Sequence, residues 1–246
     1  MNLDYFVKGG PLHTYCQDYV LTQNTNKLVL CDGCSACKYA EIGAKLLAHA
    51  AMNDTLRELV HTCNLLKLPE SCLHATLLKL EIKDGSEAYF TRYGDGFLAV
   101  ATDKNIFVDE IKYKINAPFY LAYRLLHSED SWYDLKNQLV RIGYKFNNKL
   151  ELEEKNEFVS FEAYEENTRV GLKDVKWIAI GSDGLNSFTN ELGEEIPFEK
   201  IAKELFSFKN FNGNFVQRRM QKAFKEFDKL GWKPYDDFSI GVITNA

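Results

Sequence analysis

Between Lys27 and Gly43 the chain reads KLVLCDGCSACKYAEIG: the apolar run Leu28 to Leu30 leads to Asp32 and Gly33, and an Ala-rich helical pattern follows. A strand that ends on a carboxylate and turns through glycine delivers that carboxylate to the sheet rim, where sites are commonly built. Three more stretches repeat the arrangement: Tyr93-Gly94-Asp95-Gly96, Ile180-Gly181-Ser182-Asp183-Gly184, and Asp236-Asp237 before the apolar run Phe238 to Ile243. One Asp-Gly pair is an ordinary hairpin signal. Several acids that each abut an apolar strand mean more, because folding can collect them into an oxygen-ligand cluster for a hard divalent cation. Turn chemistry is the competing account of each acid: Asp32 and Asp183 beside glycine, Asp236 and Asp237 capping the turn before the last strand. Asp95 is read as structural, since Asp-Gly alone explains a hairpin.

Thiols crowd the same turn. Cysteines stand at 16, 31, 34, 37, 63 and 72, and Cys31, Cys34 and Cys37 form C-x2-C-x2-C. That spacing raises a metal–sulfur or redox hypothesis, with His49, His61 and Cys63 as completing ligands. Zinc takes four ligands, however, and the run lacks the fourth cysteine and the proline of an iron–sulfur motif. The first residues, MNLDYFVKGG, carry no export signal, so the expectation is reduced, buried thiols. Cys31 would share a sheet face with Val29, and Cys37 would pack at the start of a helix.

The elements that must position these residues are read from periodicity. Strands are expected over residues 2–8, 16–22 and from Lys27 onward, with Gly9-Gly10-Pro11 breaking the first. Ala36 to about Leu66 reads as the clearest helix, limited by Pro69. Period-two patterns follow at 75–82, 87–93, 97–102 and 106–115, an antiparallel meander. A short helical pattern runs from Pro118 to Leu126, and residues 127–156 read as an irregular excursion. Strands resume at 158–164 and 175–180, helices at 197–208 and 214–230, and a strand closes the chain at 238–243. Strand runs separated by a few long helices indicate antiparallel sheets with helices on their outer faces, in one α+β domain spanning 1–246.

With 246 residues, 46% hydrophobic, and a formal charge of -5, the chain suits one large core. Its scattered basic residues leave no footprint for nucleic acid, and no apolar run is long enough to span a bilayer. A cytoplasmic location is the default expectation, and the oligomeric state is not written in the sequence.

Five stretches in order resemble the PP2C (PPM) family of metal-dependent protein phosphatases, over nearly the whole chain. These are residues 9–19, GGPLHTYCQDY; Asp32-Gly33-Cys34-Ser35-Ala36, at the place of the family's Asp-Gly-His-Gly-Gly; and Ala75-Thr76-Leu77 with Gly94-Asp95-Gly96. Ser182-Asp183-Gly184-Leu185 and Asp236-Asp237-Phe238-Ser239 complete the set. The resemblance implies a four-layer αββα sandwich with two antiparallel sheets, and hydrolysis of phosphoserine or phosphothreonine on a phosphorylated protein substrate. It also implies two ions, Mn2+ or Mg2+, with Asp32 bridging them, Asp183 and Asp236 on the first, the Gly33 carbonyl on the second, and Asp18 in the metal site beside the cluster, either close to an ion or hydrogen-bonding its bound waters. Three positions depart from the family pattern. Gln17 replaces an acid that holds water on the second metal. His13 replaces the arginine that contacts phosphate, and Cys34 replaces a histidine proposed as general acid, for which no catalytic role is assigned here. A domain that keeps the fold but serves as a catalytically weak or inactive regulatory or binding module is therefore the alternative.

Overall fold

The computed structural model describes residues 1–114, 118–126, 138–158 and 167–245. Its strands are β1 (Asn2–Lys8), β2 (Asp18–Gln23), β3 (Lys27–Gly33), β4 (Ala75–Lys83), β5 (Glu87–Tyr93), β6 (Gly96–Thr102), β7 (Asn105–Tyr113), β8 (Leu139–Asn147), β9 (Leu152–Phe158), β10 (Asn167–Gly171), β11 (Val175–Gly181), β12 (Phe188–Thr189), β13 (Lys233–Pro234) and β14 (Phe238–Thr244). The helices are α1 (Ala40–Met52), α2 (Leu59–Leu65), α3 (Leu121–Leu126), α4 (Phe198–Leu205) and α5 (Phe215–Lys229). One sheet runs β1-β14-β11-β6-β7-β8-β9 and the other β10-β5-β4-β3-β2, with antiparallel pairing throughout; β12 and β13 pair separately.

Alternation along the strands builds four layers. Leu28, Leu30, Leu78 and Leu80 of the five-stranded sheet pack in one buried cluster with Leu98, Ile178, Ile180 and Ile243 of the seven-stranded sheet. Their neighbours Val29, Cys31 and Leu77 turn the other way and meet Ala44, Leu47, Ala48 and Ala51 of α1. On the opposite outer face, Phe97, Ala179, Ile240 and Val242 meet Ile201 and Leu205 of α4 and Val216, Met220 and Phe227 of α5. Each such Leu, Ile or Phe stabilises the fold by about 1.5–3 kcal/mol through burial, so the sheet interface is the rigid platform on which the strand ends sit. The expected αββα sandwich of antiparallel sheets is the architecture observed.

Three local readings are corrected. The helix expected over 36–66 is two helices joined by a 3-10 turn, because Asp54 adopts a left-handed φ of 58° and breaks the ladder after Met52. In place of most of the excursion expected over 127–156, residues 139–158 form the β8–β9 hairpin, turned through Asn147 to Leu150; residues 127–137 lie outside the described residues. The second strand starts at Asp18, with residue 16 in the preceding loop. Of the strand expected over 158–164, Phe158 ends β9 and the remainder lies outside the described residues, as does residue 115 at the end of the strand expected over 106–115.

Candidate metal centre

Antiparallel register decides which acids meet. In the five-stranded sheet Asp18 pairs with Asp32 and Asp32 with Thr76, so three strand ends present polar groups in one row. In the seven-stranded sheet Gly181 is opposite both Phe97 and Ile240. Ser182-Asp183 leaves β11 there, Asp95 enters β6, and Asp236-Asp237 enters β14. Lys8 pairs with Phe238, which brings the loop after β1, and with it His13, to the same end. The Ser182 hydroxyl ties the sheets together, donating to Asp18 Oδ2 at 2.8 Å and accepting the Ser239 N–H at 3.0 Å.

The resulting cleft has a volume of about 120 Å3 and is lined by Asp32, Asp95, Asp183 and Asp236 with His13, Gly33, Cys34, Thr76 and Tyr120. No lysine or arginine lines it among the described residues. Burial raises the pKa of Asp32 well above the usual carboxylate range, and the charges of Asp18, Asp183, Asp95 and Asp236 add to the rise. Asp183 is likewise pushed far up, first by burial and then by Asp95, Asp236 and Asp18. Asp95 is raised by burial, and the Thr76 hydroxyl, which donates to Asp95 Oδ1 at 2.7 Å, moderates this. Asp18 lies behind the lining; burial lifts it to about 7 against the opposing pull of the Ser239 and Ser182 hydroxyls. Several buried carboxylates that raise one another's proton affinity either hold protons or share a cation.

The donor set fits a divalent cation. Its groups are hard oxygens, the type Mg2+ and Mn2+ take. Two buried acceptors at the site, Asp18 Oδ1 and Gln17 Oε1, have no hydrogen-bond partner among the described residues, which is costly unless a cation or its water shell satisfies them. The tightest group of ligand atoms among the described residues comprises His13, Asp236 and Asp237, all within 4.8 Å of one another. Asp32 and Asp183 line the same cleft outside that trio.

No protein-family description and no curated protein matches this chain. Solved structures do. A bacterial serine phosphatase superposes with a TM-score of 0.54 at 11% identity, covering 100% of this chain and 98% of that one. Serine/threonine phosphatase Stp1 from Staphylococcus aureus gives 0.54 at 13% identity over 98% and 94% of the two chains. The serine/threonine phosphatase PstP/Ppp from Mycobacterium tuberculosis gives 0.54 at 13% identity over 98% of each. The chain has the PP2C phosphatase fold. Identities this low carry the fold alone, so the chemistry must rest on the residues themselves.

Within the PP2C fold, Asp32, Gly33, Asp183, Asp236 and His13 all line one cleft, and Asp18 abuts it. Asp95, read from sequence as a hairpin residue, belongs to the cleft as well. Gly94 makes that placement possible: its φ is +91°, and a Cβ there would lie 2.5 Å from the Thr76 Oγ1 that holds Asp95. Adjacent Asp236 and Asp237 divide their labour. Asp236 is 31% exposed toward the cleft, whereas Asp237, 2% exposed, accepts the N–H of Gly10 at 2.7 Å and of Gln17 at 2.6 Å. Asp237 thereby fixes the loop that carries His13, a role the sequence did not reveal. Gly184 admits this packing, since a Cβ there would sit 1.8 Å from the Asp237 carbonyl oxygen.

The cysteines sit in several different surroundings, with Cys34 and Cys37 neighbouring each other. Cys31 is fully buried against α1, Cys34 lines the cleft, the Cys37 Sγ lies 3.6 Å from His74 Nδ1, and Cys63 and Cys72 face each other at 4.0 Å. Among the described residues, no helix is long and apolar enough to cross a membrane.

Proposed function

We propose that this chain hydrolyses phosphoserine or phosphothreonine on proteins with a binuclear divalent-metal centre loaded with Mn2+ or Mg2+. The observation that carries the reading is the cleft itself: four carboxylates, three of them with raised proton affinity, and, among the described residues, no basic lining residue beyond His13. Such a cleft repels a phosphate until its charge is reversed by cations. Asp32 is assigned as the bridge, Asp183 and Asp236 as ligands of one ion, and the Gly33 carbonyl as a ligand of the other. Asp18, held by Ser182, would either approach an ion or accept hydrogen bonds from its bound water, as would the Gln17 side chain. When bound, such ions would supply Lewis-acid screening of the phosphate and an activated water. The chain contributes their spacing, a rigid rim and a narrow cleft that admits a phosphorylated side chain.

A second reading, a catalytically weak regulatory or binding module of the same fold, is favoured by Gln17, whose amide supplies no charge beside the second ion. Hydrolysis of a phosphothreonine peptide across a Mn2+ titration, wild type beside Asp32→Asn, separates the two. Metal-dependent turnover that Asp32→Asn abolishes supports the enzyme. Metal binding without turnover favours the module, and metal-independent turnover, or equal turnover by both proteins, contradicts the mechanism.

A further inference from the structure

His13 is held in a way that dictates its chemistry. Its Nδ1 lies 3.2 Å from Asp237 Oδ2 and 3.7 Å from Asp236 Oδ1. Two carboxylate oxygens around one ring nitrogen require that nitrogen to carry the proton, because a lone pair there would face two acceptors. Asp237 is pinned in place by the Gly10 and Gln17 amides and is almost wholly buried, so the ring orientation is set from behind. Among the described residues no hydrogen bond engages the other nitrogen, Nε2, and the ring lines the cleft beside Asp32, Asp183 and Asp236. A carboxylate holding one nitrogen while the second is left unclaimed in a carboxylate-lined cleft is the arrangement that orients metal-ligating histidines.

We propose that His13, through Nε2, is a nitrogen ligand of the divalent cation that Asp236 binds, rather than a contact for the substrate's phosphate. The inference deepens the metal reading above and rests on it. The two roles exclude each other, since a phosphate contact needs a proton on Nε2 and a metal ligand needs its lone pair. Asp237 already accepts hydrogen bonds from Gly10, Gln17 and His13, which makes it the orienting carboxylate rather than a ligand. One imidazole among oxygen ligands shifts preference toward Mn2+, Co2+ and Zn2+ and away from Mg2+, which favours an all-oxygen shell.

The test is pulsed electron paramagnetic resonance of the full chain loaded with Mn2+, read for nitrogen coupling to the ion, together with calorimetric titration of Mn2+ and Mg2+. Wild type should show a single imidazole coupling that is lost in His13→Gln and kept in His74→Gln. Mn2+ affinity should fall on the order of 10–100-fold in His13→Gln, with a much smaller loss for Mg2+. Selective 15N labelling of histidine should alter the wild-type coupling, a readout that needs no variant to fold. Mn2+ bound to wild type without nitrogen coupling, or with coupling that survives His13→Gln, overturns the His13 assignment and leaves the carboxylate centre standing. Failure of wild type to bind Mn2+ at all overturns the metal reading and this inference together.

Discussion

Two regions meet at the turn after β3, and burial acts on them with opposite consequences. On the side facing α1, burial pushes the Cys31 thiol well above its ordinary value, Cys72 to about 12 and Cys37 to about 11. A thiol that keeps its proton is neutral and packs as a small hydrophobe, so that side needs no ligand. The thiols feel neighbouring groups as well, Asp18 acting on Cys31, Cys34 on Cys37 and Cys63 on Cys72. On the cleft side, however, Asp32, Asp95 and Asp183, also raised by burial, are raised again by several carboxylates that converge on one space. Burial alone does not make a site; convergent charge, brought together by strand register, does.

The sharpest break of that comparison is Asp32→Asn. Losing the central charge should reduce metal-dependent hydrolysis by roughly 10³-fold or more, about 4 kcal/mol of transition-state stabilisation; steady-state assay at saturating Mn2+ reads it. Asp237→Ala should act on stability first. It strands the Gly10 and Gln17 amides and should lower the unfolding free energy by about 3 kcal/mol in urea denaturation.

A subtler test uses pH. In the metal-free chain Asp18 has its pKa raised from 3.8 to about 7, so the folded state holds a proton that the unfolded state releases. Its contribution to stability is fullest below pH 3.8 and is lost as pH rises through about 7. Thermal melts without metal should therefore show Tm falling between about pH 4 and 7, with a shallower fall in Asp18→Asn and in wild type saturated with Mn2+. The smallest effect is expected on the thiol side. Cys31→Ala removes one buried sulfur from the α1 layer and should cost about 1 kcal/mol, leaving the metal content measured by elemental analysis unchanged.

Much of this comparison was legible in the sequence because strand periodicity and turn residues are local signals. The meander from Ala75 to Tyr113 follows its alternation, and the strands ending near Asp32 and Asp183 lie where the apolar runs place them. The β8–β9 hairpin was missed because β9, LEEKNEF, is exposed along its whole length and so carries no alternation. The break at Asp54 was missed because the apolar spacing of Leu56, Leu59 and Val60 continues past it. At the site, the local Asp-Gly signal concealed Asp95, whose place depends on Thr76, 19 residues away in the chain. The division between Asp236 and Asp237 likewise depends on partners at Gly10 and Gln17, about 220 positions distant, which no local pattern encodes.

The most direct test of the central claim is an anomalous-difference map from crystals grown with Mn2+. Two peaks are expected in the cleft, within ligand distance of Asp32, with Asp183 and Asp236 on one of them. A cleft without a peak, or a metal bound instead at Cys31, Cys34 and Cys37, would contradict that claim.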